Sequence, residues 1–211
     1  MEDLKISSKF DVAHHIKNSL DSYNRKELND AMLYACLAVD STSKKLYTTE
    51  DAVGKRFKQF IIDNIDIIEL MLGLLNVRET IFPFKNKKGK IGLKLEDIIY
   101  EIFRCNLCHG NELPDGYAIN FRVKGKIHIL IDTNKQSIIF PETIIFALGL
   151  PCVLSPVNKD QKIGDISYYY RDPINYYVID RWWGKLNCAR EIMDFDGQPK
   201  IKLDFSECLN I

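Results

Sequence analysis

Apolar and small side chains recur every three or four residues between Asn24 and Tyr47, which places them in one stripe along a helix. The stripe consists of Leu28, Ala31, Met32, Ala35, Cys36, Val39, Ser43 and Leu46. A helix of this kind gains most of its stability from packing its apolar side against other elements. The chain must therefore contain further helices that cover the stripe.

Three other segments have the spacing of amphipathic helices. The first runs from a hydroxyl and acidic cap at residues 48–51 through Leu75. The second starts near Leu93 and ends close to His109, where Gly110 suits the left-handed position after a helix. A short helix from about Lys9 to Leu20 precedes them all. These segments predict a helical bundle.

The pattern changes after Pro114. Tyr117 to Val123, Ile127 to Asp132 and Ser137 to Phe140 are short runs of strand-forming residues, and they predict a small antiparallel meander. An apolar helix follows from Thr143 to Leu150, and we expect Pro151 to end it. The first 150 residues are thus predicted to form a bundle that includes a β-meander at about residues 117–140.

Residues 151–211 are rich in Tyr, Trp and Arg. They predict a strand at Asn175 to Ile179, a helix from about Trp182 to Met193 and a final strand at Lys200 to Phe205. We interpret this part as an aromatic-rich α/β extension that packs on the bundle. The predicted fold class is α+β, mainly α.

Charge and hydropathy limit the classes of function. The chain has 29 basic and 29 acidic residues, so any contact with a polyanion must come from a local patch. No stretch approaches the roughly 18 apolar residues that a membrane span needs, and the N-terminus does not resemble a signal peptide. We therefore expect a cytoplasmic protein without a membrane partner.

The most informative string is Arg104-Cys105-Asn106-Leu107-Cys108-His109, which contains C-x-x-C-H. Attachment of c-type haem requires an oxidising compartment, which the absent export signal argues against. A zinc site would need further N or S ligands, and no second cluster lies near in the sequence. A redox C-x-x-C needs a helix N-terminus, whereas this one lies at a predicted C-terminus. We expect no metal, and the cysteines are interpreted as buried, reduced fillers.

Arg104 and His109 form the second pattern in this string. Residues five apart on a helix are about 140° apart around its axis, so the two side chains could converge only from an edge, or across two copies of the protein. The alternative is structural: Arg104 pairs with a core acid such as Asp40 or Glu101, and His109 caps the helix C-terminus.

At this point the sequence resembles a family. Three segments carry the resemblance, and they are residues 35–45 (ACLAVDSTSKK), residues 53–60 (VGKRFKQF) and the Arg-x4-His motif at Arg104 and His109. They resemble the HEPN (higher eukaryotes and prokaryotes nucleotide-binding) superfamily over about residues 24–150. Its members are helical bundles, typically homodimeric, and many are metal-independent ribonucleases of toxin, antiviral defence and CRISPR systems. Active members often carry Asn or another small polar residue directly after the Arg, where this chain has Cys105, with Asn106 one position later.

The resemblance implies an endoribonuclease that cleaves RNA by attack of the ribose 2′-OH, without a cofactor. His109 would transfer the proton and Arg104 would stabilise the charge on the phosphoryl oxygens. Asn106 and Asp40 would support them, Asn106 by orienting the phosphate or His109, and Asp40 by fixing Arg104. The alternative is a catalytically inactive HEPN-like module that binds a nucleotide, RNA or a protein partner.

A lysine-rich loop from Pro83 to Gly92 adds weak candidates for RNA contact, and these are Lys87, Lys88 and Lys90. Such loops are most often only solvated. The partners that we expect are an RNA substrate, a second copy of the chain, and an antitoxin or another protein partner.

Overall fold

We analysed a computed structural model of the chain, which describes residues 11–85, 89, 91–121, 129–171, 176–193 and 200–205. Helices predominate and the sheets are small, which confirms the predicted α+β, mainly α fold. The helices are α1 (Val12–Asn24), α2 (Leu28–Leu46), α3 (Val53–Asp63), α4 (Ile65–Met71), α5 (Leu95–Ile98), α6 (Cys105–Cys108), α7 (Thr143–Leu154) and α8 (Leu186–Met193). The strands are β1 (Phe82–Lys85), β2 (Ile91–Leu93), β3 (Tyr117–Asn120), β4 (Leu130–Asp132), β5 (Ser137–Pro141), β6 (Tyr169–Arg171) and β7 (Tyr176–Val178).

Helix α2 packs against α1, α3 and α7, as its apolar stripe requires. Its stripe is buried at Ala31, Met32, Ala35, Cys36, Val39 and Ser43. Helix α1 begins where the Asp11 carboxylate accepts a hydrogen bond of 2.8 Å from the backbone N–H of His14. The bundle predicted from the periodicity is therefore present, with α1 shifted by a few residues from the predicted span.

The helix predicted over residues 48–75 is divided in two. Helix α3 ends at Asp63 and α4 starts at Ile65, with Asn64 between them at φ −118°. The Asn64 side-chain amide donates to the carbonyl of Phe60 at 2.9 Å. Asparagine competes for backbone groups in this way, and it commonly interrupts a helix.

The loop predicted from Pro83 to Gly92 contains a hairpin instead. Strands β1 and β2 pair antiparallel, and Phe82 and Phe84 are completely buried with their rings stacked 6.3 Å apart. Burial of two phenylalanines outweighs the polar composition of the segment. The candidate RNA-binding residues Lys87, Lys88 and Lys90 lie outside the described residues.

Residues 95–108 form one continuous helical run made of α5, a π-helical segment at Ile99–Arg104, and α6. The extent agrees with the helix predicted from Leu93 to His109. The π-helical turn was not predicted, because a change of hydrogen-bond register leaves no clear signal in hydrophobic spacing. Such turns are frequent at functional sites.

The predicted antiparallel meander is wrong in its pairing. The sheet has the order β3-β5-β4, with β3 parallel to β5 and only β4 antiparallel to it. Residue 116 is a glycine with φ +86°, and a Cβ there would lie 2.8 Å from the Cβ of Ser137, so only glycine lets β3 approach β5 this closely. Alternating residues predict a strand but not its partner or direction.

Helix α7 does not end at Leu150 as predicted, since it continues to Leu154 with Pro151 inside. Proline removes one backbone donor from a helix interior. Nearly every residue of α7 is buried, and the helix packs against α1, α2, α4 and α8. Packing on all sides holds the helix together where the local signal predicts a stop.

The C-terminal part consists of the β6–β7 hairpin and α8, which is shorter than the predicted helix from Trp182. The predicted final strand is reduced to one bridge, in which Ile201 pairs with Leu75. Ile179 and Trp183 are buried in the same core as α1 and α2. The division at residue 150 stays a prediction. Among the described residues no helix is both long and apolar enough to cross a membrane.

Candidate functional site

Arg104 is held by a carboxylate from another helix. Its Nε and Nη2 atoms donate to Oδ2 of Asp40 at 3.0 and 2.8 Å. Asp40 lies on α2, 64 residues away in sequence, and both side chains are less than one fifth exposed. Of the two acids considered from the sequence, the structure therefore pairs Asp40 with Arg104, while Glu101 bonds to Lys58 at 2.8 Å.

The ring of Tyr100 supports the same arginine from one turn earlier in the helix. The Arg104 Cζ atom lies 5.6 Å from the ring centroid, and Lys58 Nζ lies 5.4 Å from it. Both distances are within the range of cation–π attraction. Gly54, in the first turn of α3, lies so close that a Cβ there would be 2.9 Å from two ring atoms. The guanidinium of Arg104 is thus positioned by a carboxylate and by an aromatic ring.

The Asp40–Arg104 pair has unusual protonation equilibria. Burial raises the pKa of Asp40, and the charges of Arg104 and Arg56 offset that rise only in part. Burial acts to lower the pKa of Arg104, but the Asp40 carboxylate outweighs it and raises that pKa. Arg104 stays ionised at every physiological pH, as a residue that stabilises negative charge must.

His109 lies at the end of α6, with backbone angles that leave the helix, and Gly110 follows at φ +69°. The predicted glycine-terminated helix end is therefore confirmed. The imidazole is exposed, and it makes no hydrogen bond or ion pair with any described side chain, Arg104 included. The structure does not bring Arg104 and His109 of one chain together.

Asn106 is 5% exposed, and its side-chain amide donates to the backbone carbonyl of Ile102. The backbone carbonyl of Asn106 accepts hydrogen bonds from the backbone N–H groups of His109 and Asn111, at 3.1 and 3.0 Å. Asn106 therefore fixes the backbone of the turn that carries His109. A phosphate would not reach an amide that is this deeply buried.

The cysteines of the string are free thiols, and both are partly buried. Burial raises the pKa of Cys108, although the Arg104 charge lowers it in part. Within the described part of the chain, no group of three His, Cys, Asp or Glu residues is placed to hold a metal ion. Because burial raises its pKa, the thiol of Cys108 is protonated at neutral pH, and the structure gives no support for a thiolate there.

Three residues of this site were not identified as such from the sequence, and they are Gly54, Arg56 and Tyr100. Tyr100 precedes Arg104 by four residues, which places both on one side of a helix and is the signal that could have revealed it. Gly54 and Arg56 belong to the segment that carries the family resemblance. Their contribution depends on how α3 packs against the other helices, which spacing does not encode.

Comparisons with known proteins agree on one family. A family model described as Rv1289 matches residues 11–209. Three curated proteins are each 30% identical over 204 residues, which cover 94% of this chain and 95% of each relative. They are the uncharacterized proteins Mb1320 of Mycobacterium bovis and MT1327 and Rv1289 of Mycobacterium tuberculosis. No solved structure shows a significant match.

Proposed function

The chain belongs to the Rv1289 family, and we propose that it is a metal-independent endoribonuclease of the HEPN type. One observation carries the proposal. Asp40 binds Arg104 through Nε and Nη2 only, which leaves Nη1 without a partner among the described residues. The arginine is therefore oriented by the protein and still has a donor for a phosphoryl oxygen.

His109 supplies the second group. It is exposed, its imidazole has no partner among the described residues, and histidine is the side chain that most often acts as a general base. In the reaction that we propose, His109 accepts the proton of a ribose 2′-OH, and the oxygen attacks the adjacent phosphorus. Arg104 stabilises the negative charge that develops on the phosphoryl oxygens. The products are a 2′,3′-cyclic phosphate and a 5′-hydroxyl.

The geometry favours a site shared between two copies of the chain. Along an α-helix, five residues correspond to a rise of about 7.5 Å and a rotation of about 140°. Arg104 is turned towards α2, whereas His109 is exposed at the helix end. We therefore propose a homodimer in which Arg104 of one protomer acts with His109 of its partner, as a toxin or antiviral defence effector.

A second candidate is a catalytically silent HEPN-like module that binds RNA, a nucleotide or a protein such as an antitoxin. The pairing of Arg104 with Asp40, and the separation of Arg104 from His109, favour this alternative. In such a module Arg104 would have a structural role, and the exposed imidazole would only cap the helix.

Cleavage of a labelled single-stranded RNA in EDTA separates the two candidates. The ribonuclease should lose activity in His109→Ala and in Arg104→Ala. The controls are His14→Ala, which removes another exposed imidazole, and Arg25→Ala, which removes a guanidinium outside the site. Cleavage that persists in both site variants contradicts the first candidate.

The shared site has its own test, which uses a mixture of the two inactive variants. If Arg104 and His109 act across the dimer, subunit exchange between Arg104→Ala and His109→Ala restores one intact site in each mixed dimer. Cleavage should then return to a fraction of the wild-type rate. If mass measurement shows mixed dimers in the mixture and cleavage still does not recover, the shared site is contradicted.

A further inference from the structure

The Asp40 carboxylate lies near two arginines, Arg104 and Arg56, but only Arg104 forms hydrogen bonds with it. Arg104 donates both of its hydrogen bonds to Oδ2, while Oδ1 is buried without a hydrogen-bond partner. Arg56 follows Gly54 by two residues on α3, and Gly54 lies against the Tyr100 ring that supports Arg104. The Arg56 charge also lowers the pKa of the Asp40 carboxyl. The Nε atom of Arg56 is also buried without a partner. A buried donor and a buried acceptor are thus both unsatisfied in one small region, which natural proteins rarely tolerate without a reason.

The charges of this region balance, so net charge is not what suits it to a ligand. Lys58 bonds to both Asp97 and Glu101, and Glu50 lies 3.4 Å from Lys55. A hydrogen bond from the Ala52 backbone N–H lowers the pKa of Glu50, and the Arg56 charge also lowers it. The feature that suits this region to an anion is a pair of guanidinium groups that retain unused donors.

Only one nitrogen of the Arg56 guanidinium is held by a hydrogen bond. Its Nη1 atom donates to the backbone carbonyl of Glu50 at 2.6 Å, and Nη2 has no hydrogen-bond partner among the described residues. The side chain is therefore oriented by the loop before α3 and retains a free donor, as Arg104 is oriented by Asp40. Two arginines prepared in this way can each donate to a phosphate oxygen without rearrangement.

We propose that Arg56 is a second phosphate-binding residue of the site, and that it holds a backbone phosphodiester of the nucleic acid strand beside the one that Arg104 contacts. Asp40 orients the guanidinium of Arg104, and the Glu50 backbone carbonyl orients that of Arg56. The identity of the ligand as RNA rests on the proposed function. The binding role of Arg56 rests on its contacts and charge alone.

The test measures binding without cleavage. Wild type is titrated against a fluorescein-labelled 2′-O-methyl oligoribonucleotide of about ten nucleotides, which lacks the attacking 2′-OH. Arg56→Gln should weaken binding about tenfold, the effect of losing one charge-assisted hydrogen bond. It should also reduce the slope of log Kd against log salt by about 0.7. Lys55→Gln is the matched control, since it removes an exposed positive charge from the adjacent position of the same helix.

Arg56→Lys is the control for misfolding, because lysine keeps the positive charge and a donor for the Glu50 carbonyl. It should retain the salt slope but not the full affinity, since lysine lacks the planar fork. The proposal is overturned if Arg56→Gln binds as wild type does, if Lys55→Gln weakens binding equally, or if wild type does not bind the probe.

Failure of this inference is distinguishable from failure of the proposed function. If RNA cleavage depends on His109 but the affinity for the probe does not change in Arg56→Gln, the inference alone is overturned. Binding that depends on Arg56, in a protein that does not cleave RNA, supports the inference and contradicts the ribonuclease.

Discussion

Gly54 lies in the first turn of α3 against the ring of Tyr100, and replacing it by alanine tests how tightly the site is packed. The added Cβ would lie 2.9 Å from Cε1 and Cζ of Tyr100 and 3.0 Å from its hydroxyl oxygen. The ring has little freedom to withdraw. It packs against Phe57 with centroids 5.4 Å apart, and the cations of Lys58 and Arg104 lie near it.

Two opposing effects determine the free energy of unfolding of Gly54→Ala. Alanine favours a helix over glycine by up to about 1 kcal/mol. Overpacking a filled region costs about 1–3 kcal/mol. The second effect is the larger one, and we expect Gly54→Ala to destabilise the wild type by up to about 2 kcal/mol.

Gly54→Ala should change the free energy of unfolding in the opposite direction when Tyr100 is first replaced by alanine. Without the ring there is no clash, and only the helix preference remains, so Gly54→Ala should stabilise Tyr100→Ala by up to about 1 kcal/mol. Urea unfolding followed by circular dichroism gives all four free energies of the cycle, provided that the m-value is unchanged. Stabilisation by Gly54→Ala in both backgrounds would refute the close packing of α3 on Tyr100.

Two further predictions concern buried groups. Burial, with the charge of His14 next, lowers the pKa of His15 below 6.5. The unfolded chain therefore binds a proton that the folded chain does not, and stability falls by up to about 1.4 kcal/mol per pH unit below pH 6.5. Urea unfolding between about pH 5 and pH 8 should show that His15→Gln loses this dependence, and an equal slope in the variant would contradict it. Burial also raises the pKa of Cys36, and that of Cys152 to about 12. Iodoacetamide and mass spectrometry should find native Cys188, which is exposed, alkylated well before either.

Spacing was sufficient to predict α2 and the helical run at residues 95–108, because one side of each is buried continuously. It was insufficient where long-range contacts decide the outcome. Phe82 and Phe84 turn a lysine-rich segment into a hairpin, and the packing of α7 on four other helices carries it past Pro151. The direction of β3 depends on a pairing with β5 that alternation does not encode.

In the candidate site, too, some features could be predicted from the sequence and others depend on long-range contacts. Asp40 was named from the sequence as one of two possible partners of Arg104, and the structure selects it across 64 residues. The sequence predicted that His109 lies at a helix end, and the structure shows that its side chain is exposed there. Arg56 and Tyr100 could not be assigned, because their roles arise where three helices meet. Whether Arg104 and His109 catalyse a reaction stays a prediction.

The chemical nature of the RNA ends tests the central claim most directly. A defined single-stranded RNA is incubated in EDTA with wild type, Arg104→Ala or His109→Ala, and the products are identified by mass spectrometry. Attack by the 2′-OH predicts a 2′,3′-cyclic phosphate and a 5′-hydroxyl from wild type, and intact RNA from both variants. Products with a 3′-hydroxyl and a 5′-phosphate, or the same products from the variants as from wild type, would contradict it.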